Sequence, residues 1–303
     1  MTEQELKDLE ESRTNLHIAL DIGLAALIAS LSKEVYAMYQ ELINGLQFYS
    51  NGFLLNNASN RNIRSKESKI LEKYNIKETL TRNVEKGFGL LGRSAESYFK
   101  KDDPDSKNAK KKRKRLRDDT YSRLLSQYGL NQTTSLLDEI MSPDEVYRKA
   151  RLRILNGVLT NQKRTDVISS INDLIVKDKT LQKHYHTSIQ DIYSQFDRDL
   201  HEKIAVGTGY KYAIYQGGLI STSRKFCKVR NRKVFTIEEI RKFGTSADKF
   251  GGYSGGNGKF VGKNKNYNPL RDAGGHNCRH FYSYISEKLA YRLRPSLKPQ
   301  NLN

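Results

Sequence analysis

From residue 16 onward, apolar side chains recur at helical spacing. Leu20, Leu24, Leu27, Ile28, Leu31, Val35, Met38, Tyr39 and Leu42 form one stripe of a long helix. Asn44-Gly45 and the Asn-rich stretch 50–60 break it. Helices are predicted over 65–74 and 77–100. Gly87, Gly89 and Gly92 lower the propensity of the second and can mark close packing against a neighbour. Ser142-Pro143-Asp144-Glu145 combines a cap, a first-turn proline and a capping-box acid, so a helix should follow, with another over 165–175. Over 184–206, Ile189, Ile192, Tyr193, Phe196, Leu200 and Ile204 make a stripe. Asp191, Asp197, Arg198, Asp199 and Glu202 lie off it, which predicts a core helix with a solvated back.

After Gly207 the period changes. Residues 210–216 alternate and are aromatic, as a strand requires. A short helix is predicted over 221–230 and a short strand over 233–235. Thr236 and Glu239 form a second capping box, and Gly244 stops its helix. A Gly-rich loop spans 245–268, and a strand is predicted within 277–286. The fold class is therefore α+β: a mostly helical N-terminal two thirds and a small C-terminal α+β domain. The organisation read from the chain is helical 1–100, a basic linker or loop over 101–119, helical 120–206, and an α+β domain over 207–303.

Charge sharpens this picture. The 303 residues carry a net +19. Lys107 to Arg117 holds eight basic residues and no acid, and 203–303 holds 20 Lys/Arg against five acids. Two basic zones imply a polyanionic partner, such as nucleic acid or an acidic protein surface. Lys110, Lys111, Lys112, Arg113, Lys114, Arg115 and Arg117 are the candidate electrostatic contacts to DNA. A solvated loop is the bland alternative. The aromatic residues are mostly Tyr (18, with 11 Phe and no Trp), a composition that suits wet surfaces. The N-terminus is acidic and polar, unlike a signal peptide. The uncharged run 22–31 is about half a membrane span, so a buried or partner-packed helix is expected and no membrane role.

The chemistry-bearing residues cluster in 212–285. Cys227 and Cys278 do not make a secreted disulfide scaffold, and synthesis in a reducing cytoplasm fits. Three readings of the pair stay open: packing as small buried thiols, a disulfide formed after lysis, or a metal site. For the metal, His276, Cys278 and His280 alternate along a strand and would join Cys227 as four soft ligands, although structural zinc sites favour wider Cys spacing. Asp272, His276, Asn277, Arg279 and His280 also cluster, and a nuclease could use His and Arg on a phosphodiester. The wider spacing of a His-Asn-His nuclease is not met. Arg224 and Arg279 are read instead as structural, pinning two segments together. The chain shows no nucleotide-cradling loop and no serine nucleophile elbow.

The order of these segments carries a resemblance. Tyr212-x-x-Tyr215-x-Gly217-Gly218 is followed by Ser221-Thr222-Ser223-Arg224-Lys225-Phe226-Cys227. The strand-to-helix unit 233–240 comes next, and Gly274-Gly275-His276-Asn277-Cys278-Arg279-His280 closes the set. Over about residues 185–286 this resembles the C-terminal domain of the Mu F-like head morphogenesis (minor head protein) family of tailed phages. The more familiar closing motif of that family is His-Pro-Asn-Cys-Arg-Cys. Here Gly275 and His276 take the first two places, and His280 stands for the last Cys. The resemblance implies a non-enzymatic minor head protein, without cofactor, in several copies in the virion head. It would be assembled in the host cytoplasm beside portal or capsid proteins and non-specific double-stranded DNA. Arg224, Cys227, Asn277, Cys278, Arg279 and His280 are the motif residues. A packaged nuclease or toxin-like effector is one alternative, and few residues follow Ser286 to hold an added domain. A cellular basic nucleic-acid-binding protein is the other.

Overall fold

The computed structural model describes residues 2–74, 76–100, 107–128, 144–177, 179–245, 247–251, 267–275 and 278–299, with the side chains at 77, 107–110, 113, 124–128, 144, 145 and 180 excepted. The expected strong start at Ser142-Pro143, the body of the Gly-rich loop, and His276 and Asn277 lie outside them. The fold is α+β, mostly helical with one small antiparallel sheet in the C-terminal region. The elements are α1 (Glu3–Asn44), α2 (Ala58–Arg61), α3 (Ile63–Leu71), α4 (Ile76–Lys100), α5 (Lys107–Tyr128), α6 (Asp144–Leu159) and α7 (Arg164–Asn172). A π-helical turn, Asp173–Lys177, leads to α8 (Thr180–Gly207). The remainder is β1 (Tyr212–Gln216), α9 (Lys225–Arg230), β2 (Lys233–Thr236), α10 (Ile237–Arg241), α11 (Pro269–Asp272), β3 (Phe281–Ile285) and α12 (Glu287–Leu293).

The chain forms two compact units, and neither is a single stretch of sequence. One comprises Met1–Ala19, Lys86–Ser126 and Gln190–Asn303; the other comprises Leu20–Glu85 and Gln127–Ile189. This replaces the consecutive segments expected from the sequence.

In the unit that ends the chain, the sheet order is β2-β1-β3, with β1 antiparallel to both neighbours. Tyr212 pairs with Thr236 and Ile285, and Tyr215 with Lys233 and Tyr282. All five residues of β1 are buried, so both faces of the sheet are covered rather than one. On one face Tyr212, Ile214, Val234 and Ile285 pack with Leu6 of α1 and Leu289 and Ala290 of α12. The other face carries Ala213, Tyr215, Phe235, Tyr282 and Tyr284, all buried. Helix α12 is an addition to the elements expected from the sequence. Its stop is anchored by Arg294, which donates to Glu239 Oε2 at 2.7 Å and Oε1 at 2.8 Å.

Two expectations about polarity are corrected here. The back of α8 is not solvated: Asp191, Asp197, Arg198, Asp199 and Glu202 are all buried. Each of the central three has a partner. Arg13 Nε donates to Asp197 Oδ2 at 2.8 Å, Arg123 donates to Asp199, and Arg198 donates to the Cys278 and His280 carbonyls at 2.8 and 3.0 Å. A charge off the apolar stripe is buried when another element brings a counter-group. Nor are the tyrosines chiefly surface residues, since Tyr39, Tyr185, Tyr215, Tyr282 and Tyr284 are among the most deeply buried side chains.

The basic run is also corrected, from a loop to part of helix α5. Lys and Arg are good helix formers, and like-charge repulsion is offset by local pairs. Arg117 pairs with Glu96 of α4, and Leu116 packs on Gly207, where an added Cβ would lie 2.5 Å from its Cδ1. The glycines of α4 differ in role. A Cβ on Gly87 would meet the Tyr193 ring at 2.5 Å, so close packing is realised there, whereas Gly89 faces nearly open space.

In the other unit, Tyr39 donates to the buried Glu67, and Arg151 Nη1 donates to Glu67 Oε2 at 2.8 Å. Within α1, Leu24, Ile28, Leu31 and Val35 are buried, but Ile18 and Ile22 are 52% and 67% exposed. Only 17% of the most apolar 18-residue window of α1 is buried, and by length and composition alone the helix could cross a membrane. Of the two expected alternatives, a buried or a partner-packed helix, burial within the chain holds for one stripe only.

Candidate functional site around Cys227, Cys278 and His280

The fold brings the two motif segments together. Cys227 sits in the first turn of α9, whose N-cap, Arg224, is extended (φ −65°, ψ 149°), and Cys227 N–H donates to the Arg224 carbonyl at 2.9 Å. Cys278 and His280 lie on the approach to β3, on one side because residues two apart in extended chain share a face. The sulfurs of Cys227 and Cys278 are 3.8 Å apart, and His280 Nδ1 is 3.9 Å from Cys278 Sγ. Both cysteines are free thiols and buried. The three ligand atoms lie within 4.8 Å of one another.

The surroundings hold these atoms in place. Gly274 N–H donates to Cys278 Sγ at 3.2 Å. A Cβ on Gly274 would lie 2.7 Å from each sulfur, so only glycine lets the backbone cover the pair. Arg224 Nη1 donates to the Gly274 carbonyl at 3.0 Å, which fixes that cover to α9. The Tyr215 hydroxyl is 3.3 Å from Cys227 Sγ and 3.7 Å from Cys278 Sγ. Its ring stacks on the His280 imidazole, with centroids 5.1 Å apart and planes 13° from parallel. Gly217, at φ +148°, leaves room for His280: an added Cβ would be 2.9 Å from the His280 Cα.

The two thiols are electrostatically unequal. The hydrogen bond from Cys227 lowers Cys278 against the cost of burial, and His280 and the Arg198 guanidinium add to the lowering. The same hydrogen bond, with burial, pushes Cys227 up. Two buried sulfurs facing a backbone N–H and an imidazole are a soft donor set, suited to a thiophilic metal.

The predicted residues divide as follows. Arg224, Cys227, Cys278 and His280 converge, and Arg224 has the pinning role expected of it. Arg279 does not: it is exposed and donates to Gln190 Oε1 of α8 at 3.1 Å. His276 and Asn277 fall outside the described residues. Among the basic residues, Lys111, Lys112, Lys114 and Arg115 are exposed on α5, and Lys111, Lys114 and Arg115 share one face. Arg117 turns inward to Glu96, and the side chains of Lys110 and Arg113 are not described.

Three contributors escape sequence reasoning. Arg198 pins the Cys278 and His280 carbonyls, although its place off the apolar stripe implies a solvated side chain. Tyr215 reads in the sequence as a strand aromatic of the motif, with no sign that its hydroxyl reaches both sulfurs. Arg230, fully buried, pairs with Asp248 and lies 3.9 and 4.4 Å from the Phe226 and Phe243 ring centres, holding the start of the Gly-rich loop against α9. Its two-residue separation from Lys228 in a basic helix end offers no signal of burial. No protein-family model, curated protein or solved structure gives a significant match to this chain.

Proposed function

We propose that this chain is a structural, non-enzymatic minor head protein of a tailed bacteriophage, acting in head morphogenesis beside the portal and the packaged DNA. The observation that carries this reading is the convergence of the Arg224–Cys227 and Cys278–His280 segments on β1. The motif order that resembles the Mu F-like family is matched by one buried arrangement in space. The exposed apolar positions of α1, Ile18 and Ile22, suit a helix that is covered by portal or capsid protein. The face of Lys111, Lys114 and Arg115 suits salt-dependent, sequence-tolerant contact with duplex DNA. A nuclease reading is less favoured: His280 is buried against Tyr215, and Arg279 is held at Gln190.

The test is mass spectrometry and cryo-EM of heads from the phage that encodes the chain. Several copies per head, next to the portal, are expected. Its absence from both procapsids and mature particles would end the proposal. Loss of DNA retention alone, at low salt, would remove only the DNA contact.

A further inference from the structure

We propose that Cys227 Sγ, Cys278 Sγ and His280 Nδ1 form a soft-metal site that takes Zn²⁺ and ties α9 to the start of β3. A tetrahedral zinc with Zn–S near 2.3 Å and Zn–N near 2.0 Å has donor-to-donor edges of about 3.5–3.8 Å. Two of the three observed separations are close to this, 3.8 Å between the sulfurs and 3.9 Å between Cys278 Sγ and His280 Nδ1, and the third pair lies within 4.8 Å. A disulfide, by contrast, needs the sulfurs at about 2.05 Å and gives His280 no part.

The charge balance agrees. All three ligand residues are buried, where an unpaired divalent cation is very costly. Two thiolates neutralise Zn²⁺, and the neutral imidazole adds a third donor. Zn²⁺ enters as the hydrated ion, and the two thiol protons leave to solvent. The fourth position stays open to water or to the Tyr215 hydroxyl, which already reaches both sulfurs.

Pre-organisation is the second line. Outer partners that orient ligands are a mark of built metal sites. Gly274 N–H faces Cys278 Sγ, Arg224 holds Gly274, Arg198 holds the carbonyls of two ligand residues, and the Tyr215 ring fixes the imidazole plane. Two glycines, 274 and 217, stand where any side chain would collide with these three residues.

The experiment uses the full chain without an affinity tag, purified from zinc-supplemented cells under reducing conditions. Elemental analysis should find about one zinc per chain. Replacement by Co²⁺ should give the visible bands of a tetrahedral centre and a thiolate-to-cobalt charge-transfer band. In the wild type, zinc should shield both thiols from alkylation until a chelator is added, a readout that needs no variant. Cys227→Ser and Cys278→Ser should each weaken zinc by more than the roughly 10–100-fold of an outer-shell change. His280→Gln should remove the tetrahedral cobalt spectrum while leaving both sulfurs.

Two free thiols with no stoichiometric metal would overturn the proposal in favour of simple packing. A mass deficit of two hydrogens with no free thiol would overturn it in favour of a disulfide. Zinc that survives Cys278→Ser unchanged would sit elsewhere and also overturn it. None of these outcomes bears on whether the chain is found in phage heads.

Discussion

Arg13 Nε donates to Asp197 Oδ2 at 2.8 Å, joining residues 184 apart in sequence, and both side chains are almost wholly buried. The same guanidinium donates from Nη1 to the Tyr282 carbonyl at 2.9 Å and lies 4.2 Å from the Phe281 ring centre. One residue of α1 thus holds α8 and β3 together within its unit. Removing one member of a buried pair leaves the other charged and uncompensated, at a cost of about 3–5 kcal/mol. Arg13→Met should therefore shift the urea midpoint strongly, and Arg13→Met with Asp197→Leu should recover part of the loss. A single-variant loss below about 1 kcal/mol would put this pair with weak surface bridges instead.

The same cluster sets an acid sensitivity. Burial lowers His201 from its ordinary 6.5, and the Arg13 guanidinium adds to this against the pull of Asp197. For Asp197, burial would raise the carboxyl from 3.8, but Arg13, His201 and the hydrogen bonds from His17 and His201 outweigh it and hold it well below. Both folded values are depressed. Each group therefore contributes stability above its ordinary value and loses it as pH falls, His201 below 6.5 and Asp197 below 3.8. Between the folded value of His201 and 6.5, the unfolded chain binds the extra proton. Scanning Tm from about pH 8 to about pH 5 should show a decline below 6.5 that is shallower in His201→Gln. The Tyr98 and Phe99 rings, 5.5 and 5.6 Å from His201, offer it no counter-charge. An identical slope in the variant would assign the acid sensitivity to other groups.

Two glycines of α4 should respond oppositely to the same change. Gly89→Ala meets only Arg93 Nη1, at 3.9 Å, so the gain in helix propensity should stabilise by about 0.5–1 kcal/mol. Gly87→Ala drives a methyl into the buried Tyr193 ring, and overpacking of this kind costs about 1–3 kcal/mol. Denaturant titrations of the pair check this. Equal midpoints would mean that the Tyr193 ring swings clear at little cost.

The basic face of α5 separates DNA contact from stability. Lys111→Ala, Lys114→Ala and Arg115→Ala together should flatten the log-log salt dependence of DNA retention by about 0.9 for each phosphate no longer neutralised. Arg117→Ala should leave that slope unchanged and instead lower stability, because its guanidinium is engaged with Glu96 and Asp118. A slope change from Arg117→Ala equal to that of an exposed position would contradict this division.

Where a feature depends on neighbours a few residues away, it is legible in the sequence. The Thr236 and Glu239 capping box forms as expected, with Glu239 N–H on Thr236 Oγ1 at 3.0 Å and Thr236 N–H on Glu239 Oε2 at 2.8 Å. Gly244 takes the left-handed conformation (φ 75°) just past the end of α10, as a helix stop requires. The aromatic alternation ahead of Gly217 predicts β1, and the periodic stripe over 184–206 predicts the core face of α8.

The amino-acid order by itself determined the fold class, most of the element types and the candidacy of Cys227, Cys278 and His280. Periodicity, caps and turn residues act over one or two turns of chain, and those ranges are written in the order of residues. Tertiary structure alone decided that the charged back of α8 is buried, since its counter-groups come from Arg13 and from carbonyls of the β3 approach. It also decided that the basic run is helical, with Arg117 turned to α4, and that the cysteines meet an imidazole beneath Gly274. Each of those outcomes depends on which distant group fills the space beside a side chain, and burial and pairing energies are set by that group rather than by the neighbours in sequence.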